Sequence, residues 1–267
     1  MKKNRNFAPQ QTLTITHNID SIPILFKHFI LFPTNIQLMK IALIGYGKMG
    51  HAIEALAVDK GHTIVCTIDN PDEMEQKRAL LSSADVAIEF TTPKTATTNL
   101  RLCIELGVPI VCGTTGWYAD YYDIASLCTK RGGALLASSN FSIGMNIMFA
   151  INEKLAMLMD SHPEYHVDIS ETHHIHKLDA PSGTAITLRE QIAAVSHGER
   201  SSAENIPIQS IREGEIAGIH TVRYDSEIDT LTITHEAHSR KGLAMGALLA
   251  AEFLAGKQGV FTMKDIL

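Results

Sequence analysis

The chain has 267 residues, with 29 acidic against 23 basic side chains and a net charge of −6. A negative surplus argues against a nucleic-acid or anionic-membrane binder, since phosphate-dominated binding needs a basic surface, yet it permits a small anionic ligand at a locally cationic site. With 45% hydrophobic and 19% charged residues, the composition excludes a disordered, fibrous or disulfide-stapled protein and predicts one large domain or two modest ones.

Residues 1–38 differ from the rest. MKKNRNFAPQQTLTITHNID is polar and aperiodic, and SIPILFKHFILF is interrupted by Lys27 and His28. The stretch has neither the clean apolar core and cleavage site of a signal peptide nor the ~20 apolar residues of a membrane span. Met39 stands directly before a strong strand–turn–helix pattern. The expectation is an N-terminal extension over 1–38 that does no chemistry, with the working protein starting at Met39.

From Lys40 strands and helices alternate. KIALI is a short apolar run suited to a buried parallel strand. A helix follows over HAIEALAVDKG, then strands at HTIVCTID and DVAIEF, a helix over TPKTATTNLRLCIELG, a strand at VPIVCG, a helix from Tyr118 to Arg131 and a strand at GGALLASS. Alternation at this density predicts a parallel sheet with helices on both faces. Cys66, Cys103, Cys112 and Cys128 form no CxxC pair. They read as buried small hydrophobes in a reducing compartment, which points to the cytoplasm.

Gly45, Gly47 and Gly50 form G-x-G-x-x-G, placed after a strand and opening a helix. The first glycine permits the tight turn, the second admits a pyrophosphate to the backbone, and the third brings helix close to strand. The helix N-terminus then offers free N–H groups to phosphates. Asp69 ends the second strand, where an acidic side chain accepts hydrogen bonds from the adenosine ribose and repels a 2′-phosphate. Asn70 follows, and no Arg or Lys comes before Lys77 and Arg78. The reading leans to NADH, with NADPH open if either of those side chains folds back. The loops carrying Thr91 and Gly113-Thr114-Thr115 lie at the carboxyl edge of the sheet. Their small and hydroxylated residues suit bare turns as well as close approach to a nicotinamide and its ribose.

The pattern changes near Asn140. GMNIMFAINEKLAMLMD reads as a long helix whose methionines pack a core, HVDISETHH as a strand, and TAITLREQIAAV as a helix. IPIQSIRE and a hairpin over IHTVRYDSEIDTLTITHEA, turning at Ser226 to Asp229, are β-rich. GLAMGALLAAEFLAG is a strongly apolar helix. Between them lies the densest chemistry, Glu171-Thr172-His173-His174-Ile175-His176-Lys177-Leu178-Asp179-Ala180-Pro181-Ser182-Gly183-Thr184. Histidine is the natural proton donor near neutral pH, and a nearby lysine favours developing negative charge. Ser182 or Gly183 falls at a helix N-cap, so Gly183 and Thr184 can present N–H groups and a hydroxyl to a carboxylate. Three histidines in four residues can also hold zinc. The segment reads instead as a strand running into a loop, without helical spacing, and no metal is expected.

The segment E-T-H-H-I-H-K-L-D-A-P-S-G-T-A closely resembles the signature of the 4-hydroxy-tetrahydrodipicolinate (dihydrodipicolinate) reductase family of lysine and diaminopimelate biosynthesis. The likeness extends, in the family's order, through Gly45 to Gly50, GTTG at 113–116, Ser139-Asn140-Phe141-Ser142-Ile143-Gly144, Arg212-x-Gly214 with Ile216-x-Gly218-x-His220, Ile233-Thr234-His235 to Ser239-Arg240, and the ending Phe261 to Leu267. It runs from about Met39 to the end.

The resemblance implies an α/β fold: a Rossmann-type parallel-sheet domain at 39–140 and 239–267, completed by the C-terminal helix, plus an α+β substrate-binding and tetramerisation domain with an open mixed sheet at 141–238. It implies NAD(P)H-dependent reduction of the dehydrated form of a small dicarboxylate, 4-hydroxy-tetrahydrodipicolinate, by a homotetramer. Carried over by motif, His173 donates the proton and Lys177 stabilises charge. His174, Lys177, Gly183, Thr184 and Arg240 hold the substrate. Gly45, Gly47, Lys48, Met49, Gly50, Asp69, Thr91, Gly113, Thr114, Thr115, Ser138, Asn140 and Phe141 surround the cofactor. Ser139-Asn140-Phe141 is the expected hinge. The family often has Arg where Asn70 stands. Two rivals remain: another two-domain Rossmann dehydrogenase, such as an aspartate dehydrogenase, and a non-catalytic NAD-sensing module. The helix start at Ala180–Thr184 argues against the first, and the His173–Lys177 cluster against the second.

Overall fold

A computed structural model describes residues 37–267. The readings made for residues 1–38 fall outside the described residues, save for the last two positions. β1 (Lys40–Ile44) is buried at four of its five positions, as a strand flanked and covered on both faces must be. The chain continues through α1 (Lys48–Asp59), β2 (Thr63–Ile68), α2 (Pro71–Gln76), α3 (Arg78–Ser82), β3 (Val86–Glu89), α4 (Pro93–Leu106) and β4 (Ile110–Cys112). A single 3-10 turn at Tyr118–Asp120 leads into α5 (Tyr121–Arg131) and β5 (Ala134–Ala137). α2 and α3 are additions to the sequence reading. Asn70 caps α2 by accepting a hydrogen bond from the Glu73 amide at 2.9 Å, with Pro71 in the first turn.

The second half begins with α6 (Ile143–Met159), capped by the Ser142 hydroxyl, which accepts from the Met145 amide. β6 (His166–His173), α7 (Gly183–Val195), β7 (Ile208–Arg212), β8 (Gly218–Asp225) and β9 (Thr230–Ala237) follow, then α8 (Lys241–Leu254) and β10 (Gly259–Phe261). The β8–β9 turn is closed by the Ser226 amide donating to the Asp229 carbonyl, where the hairpin was expected. β10 is the other addition. The C-terminal segment contributes a strand as well as the expected helix.

Six parallel strands form one sheet in the order β10-β5-β4-β3-β1-β2. The alternation of side chains sorts β1 between two cores. Ile41 and Leu43 pack with Ile53 of α1 and Ala247 and Ala251 of α8, while Ala42 and Ile44 pack with Leu100 of α4 and Ile124 of α5. All four cysteines are buried and free. Strand order reverses between β1 and β3, so the crevice that such sheets use for ligands opens beyond the carboxyl ends of these two strands.

A second sheet has the order β7-β6-β8-β9, with β6 parallel to β7 and antiparallel to β8, so it is mixed as expected. Met145, Met148 and Met159 of α6 and Leu188 and Ile192 of α7 cover one face. The stretch Ser138–Ser142 joins the halves as a tied turn. The Asn140 side chain accepts from the Ser142 amide at 2.9 Å and donates to the Thr184 hydroxyl at 3.3 Å. α8 crosses this turn closely enough that a Cβ on Gly246 would lie 1.7 Å from the Phe141 carbonyl oxygen.

Candidate active site

Gly45 takes φ +90°, and a Cβ there would stand 2.0 Å from the Phe90 carbonyl oxygen, so the turn after β1 demands glycine on two counts. A Cβ on Gly50 would meet the Gly45 carbonyl oxygen at 2.6 Å, which fixes how near α1 lies to the loop. Around Gly47 there is open space to 4 Å. Gly47 is also the N-cap of α1 and supplies no capping side chain, and no acidic residue occupies the first turn. The helix therefore presents uncapped N–H groups, an exposed Lys48 and room for a phosphate. The cradle fits a dinucleotide.

Asp69 lies beside this loop, its Oδ1 accepting the Tyr46 amide at 2.9 Å, and remains exposed. Lys77 does fold back. Its Nζ donates to the Thr67 carbonyl at 2.7 Å and to Glu73 Oε2 at 2.9 Å. Glu73 Oε2 also accepts the Asp69 amide at 3.2 Å, so the lysine charge is already paired.

Thr115, Ser138, His173, Lys177, Gly183 and Thr184 line one cleft of about 1020 Å³ between the two sheets. Ser182 is the N-cap of α7, its hydroxyl accepting the Ala185 amide at 3.2 Å, so the free N–H groups of this helix open on the cleft. Lys177 Nζ is held by both Asp179 oxygens at 2.7 and 2.8 Å.

His173 stands at the end of β6, its Nδ1 2.5 Å from Glu171 Oε2. Residues i and i+2 of a strand share a face, which brings these two together. The register does the rest, setting Arg212 beside His173 and His220 opposite Glu171. Arg212 Nη2 donates to Glu171 Oε1 at 3.0 Å, and the Ser182 hydroxyl lies 3.1 Å from His220 Nε2. Burial works to raise the Glu171 carboxyl. Hydrogen bonds from Ser210, Arg212 and Ser182 and the charge of His173 outweigh it and hold the group at about 2. Burial pushes His173 below its usual value, aided by the Lys177 and Arg212 charges and opposed by Glu171. Burial also lowers His220, to about 4. Ligating atoms of Glu171, His173 and His220 lie within 4.8 Å of one another. The Arg212 guanidinium already occupies the carboxylate, and Ser182 is bonded to His220.

Other expected residues sit elsewhere. Phe141 is 2% exposed and its ring centroid lies 5.9 Å from that of Phe90, so its side chain belongs to the core where the two halves join. Met49 packs partly into the same core. Gly113 has no room for a side chain because the Phe90 ring would stand 2.1 Å from its Cβ. Arg240 is exposed at the N-terminus of α8, outside the cleft lining. His174 donates its amide to the Ile216 carbonyl, and its ring also lies outside the lining. His176 pairs with Glu215 at the surface.

The family model for the N-terminus of dihydrodipicolinate reductase matches residues 39–141, and that for its C-terminus matches residues 144–267. The chain belongs to the dihydrodipicolinate reductase family. It is 45% identical over 235 residues to a 4-hydroxy-tetrahydrodipicolinate reductase of Christiangramia forsetii, covering 86% of this chain and 98% of the relative. A Ralstonia nicotianae reductase of the same name is 35% identical over 267 residues, covering 86% and 99%. Among solved structures, a dipicolinate-bound dihydrodipicolinate reductase from Paenisporosarcina sp. TG-14 superposes with a TM-score of 0.69 at 22% identity, over 86% of this chain and all of that one. That likeness speaks for the shared fold.

In this dihydrodipicolinate reductase family member several groups of the site take their place from the fold rather than from the motif. Glu171 had a signal, the E-x-H spacing of a strand face. Asp179 lies two positions past Lys177 in the same motif. The partnership of Arg212 and His220 with Glu171 had none, since it arises from strand pairing over roughly 40–50 positions.

Proposed function

We propose that the cleft beneath Lys177 is where this family member reduces 4-hydroxy-tetrahydrodipicolinate, by way of its dehydrated form, to tetrahydrodipicolinate with NAD(P)H. The observation that carries the reading is the convergence of His173, Lys177 and the free N-terminus of α7 on one cleft. When bound at the glycine loop, NAD(P)H supplies the hydride. Lys177 and the Gly183 and Thr184 N–H groups bind the substrate carboxylates, and Asp179 gives up Lys177 as a substrate carboxylate takes its place. His173 delivers the proton that completes the reduction, with Glu171 holding its ring through the Nδ1 side. Hydride delivery to a conjugated imine leaves an enamine-like anion, and Lys177 steadies that charge. Freshly prepared 4-hydroxy-tetrahydrodipicolinate, mixed with the protein and either nucleotide, is expected to consume the nicotinamide absorbance. No loss of signal with NADH or NADPH overturns the reading.

The cofactor preference proposed is NADH. Asp69 is free to accept ribose hydroxyls, Asn70 is occupied in capping α2, and the folded-back Lys77 is paired with Glu73. The expected result is a higher kcat/KM for NADH than for NADPH. Asp69→Ala should lower kcat/KM for NADH about tenfold, the scale of one hydrogen bond to a charged group. A KM for NADPH clearly below that for NADH reverses the assignment.

The family resemblance and the sheet face left uncovered by α6 and α7, where Ile211 is exposed, support a homotetramer. Sedimentation should then report four times the 29.3 kDa chain mass. Buried free thiols support a cytoplasmic location. Among the described residues no helix is long and apolar enough to cross a membrane.

A further inference from the structure

Glu89 ends β3 with no solvent exposure, inside the parallel sheet between β1 and β4. The other three residues of this strand are Val86, Ala87 and Ile88, all buried, so an apolar side chain is what the position calls for. A carboxylate persists in such a place only if its oxygens are bonded. Oε1 accepts from the Thr91 amide at 3.0 Å, from the Thr91 hydroxyl and from the Thr114 hydroxyl at 3.1 Å. Oε2 accepts from Cys112 Sγ at 3.0 Å. The Thr91 amide also reaches the Thr114 hydroxyl, at 2.7 Å. No cation pairs with Glu89 among the described residues.

These partners belong to two loops. Thr91 follows β3 and abuts the glycine turn, since a Cβ on Gly45 would lie 3.0 Å from Thr91 Cγ2. Thr114 follows β4 and precedes Thr115 and Gly116, which line the cleft. One buried carboxylate therefore ties together the loops that follow β3 and β4, beside the strand-order reversal.

We infer that Glu89 is a positioning residue for the nicotinamide end of the cofactor, setting the 90–93 and 113–116 loops at one separation from the glycine turn. This rests on the cofactor reading above. Glutamine at 89 has one acceptor oxygen and one donor NH₂, so whichever way it turns the NH₂ faces groups that themselves donate. Glu89→Gln should weaken NADH and NADPH binding, followed by nucleotide fluorescence titration, about tenfold, the scale of one charge-assisted hydrogen bond. Binding of dipicolinate, a planar dicarboxylate probe for the His173–Lys177 side, should stay within about twofold, because none of that side touches Glu89. Thr114→Val keeps the volume and removes one donor to Oε1. It should shift nucleotide binding the same way and remains readable if the Glu89 variant does not fold. Unchanged nucleotide affinity in a folded variant overturns the proposal, as does an equal loss of nucleotide and dipicolinate affinity, which marks general loosening. If the unaltered protein binds neither nucleotide, the cofactor reading itself falls.

Discussion

With His173 replaced by glutamine, kcat is expected to fall by about 10²–10⁴-fold, the scale of a lost general acid. The glutamine side chain can still fill the end of β6 but carries no transferable proton. The expectation rests on the group's surroundings. His173 faces the cleft, Glu171 lies 2.5 Å from its Nδ1, and Arg212 and Ser182 hold Glu171 in turn. The pH profile supplies a second check. Burial, Lys177 and Arg212 put the His173 pKa below the usual histidine value, so in the free enzyme the imidazolium loses its proton as pH rises through that lowered value. The profile of kcat/KM, which reports the free enzyme, should fall there. A bound dicarboxylate adds negative charge beside the imidazole and favours its protonated form, so the matching limb of kcat should lie at higher pH. Glu171→Gln removes the charge that opposes the depression and should move the kcat/KM limb lower still. A near-wild-type kcat in His173→Gln removes this residue from the mechanism.

Lys177→Ala is expected to lower kcat by about 10²–10³-fold, as loss of a donor aimed at developing charge does. It should also raise KM for the dicarboxylate if, as proposed, the same ammonium holds a substrate carboxylate. The resting geometry argues that this ammonium is built to hold carboxylates: Asp179 already grips it with both oxygens at 2.7 and 2.8 Å. The glycine loop and Asp69 belong to another part of the molecule, so fluorescence titration should show NADH affinity unchanged. Loss of cofactor binding in this variant contradicts the role. Arginine is a poor substitute, because its planar fork and five donors cannot stand in for a compact point charge.

The first half of the fold was legible because its information is local. Buried parallel strands are continuous apolar runs, and β1 to β5 each fall within the run that announced them. The glycine turn was legible for the same reason: positive φ at Gly45 and close packing at Gly50 are demands on single residues. The six-residue α2 and five-residue α3 were missed, being too short to display a helical period. β10 was missed because GVF is a strand only by pairing with β5, more than a hundred positions earlier. At the site, His173 and Lys177 announced themselves by residue type and crowding. Motif alone put Phe141 beside the cofactor and Arg240 beside the substrate. Packing carried the ring into the core, and the fold left the guanidinium at an exposed helix start.

By itself, then, the sequence determined the alternating fold, the dinucleotide turn and the candidates for the reactive groups, because periodicity, glycine geometry and side-chain chemistry are properties of short segments. Only the tertiary structure decided what surrounds those groups. Strand register set Arg212 and His220 against the Glu171–His173 pair, folding back set Lys77 on Glu73, and burial gave Glu89 two loops to hold. Register and burial are settled by the whole core at once, and no short segment carries them.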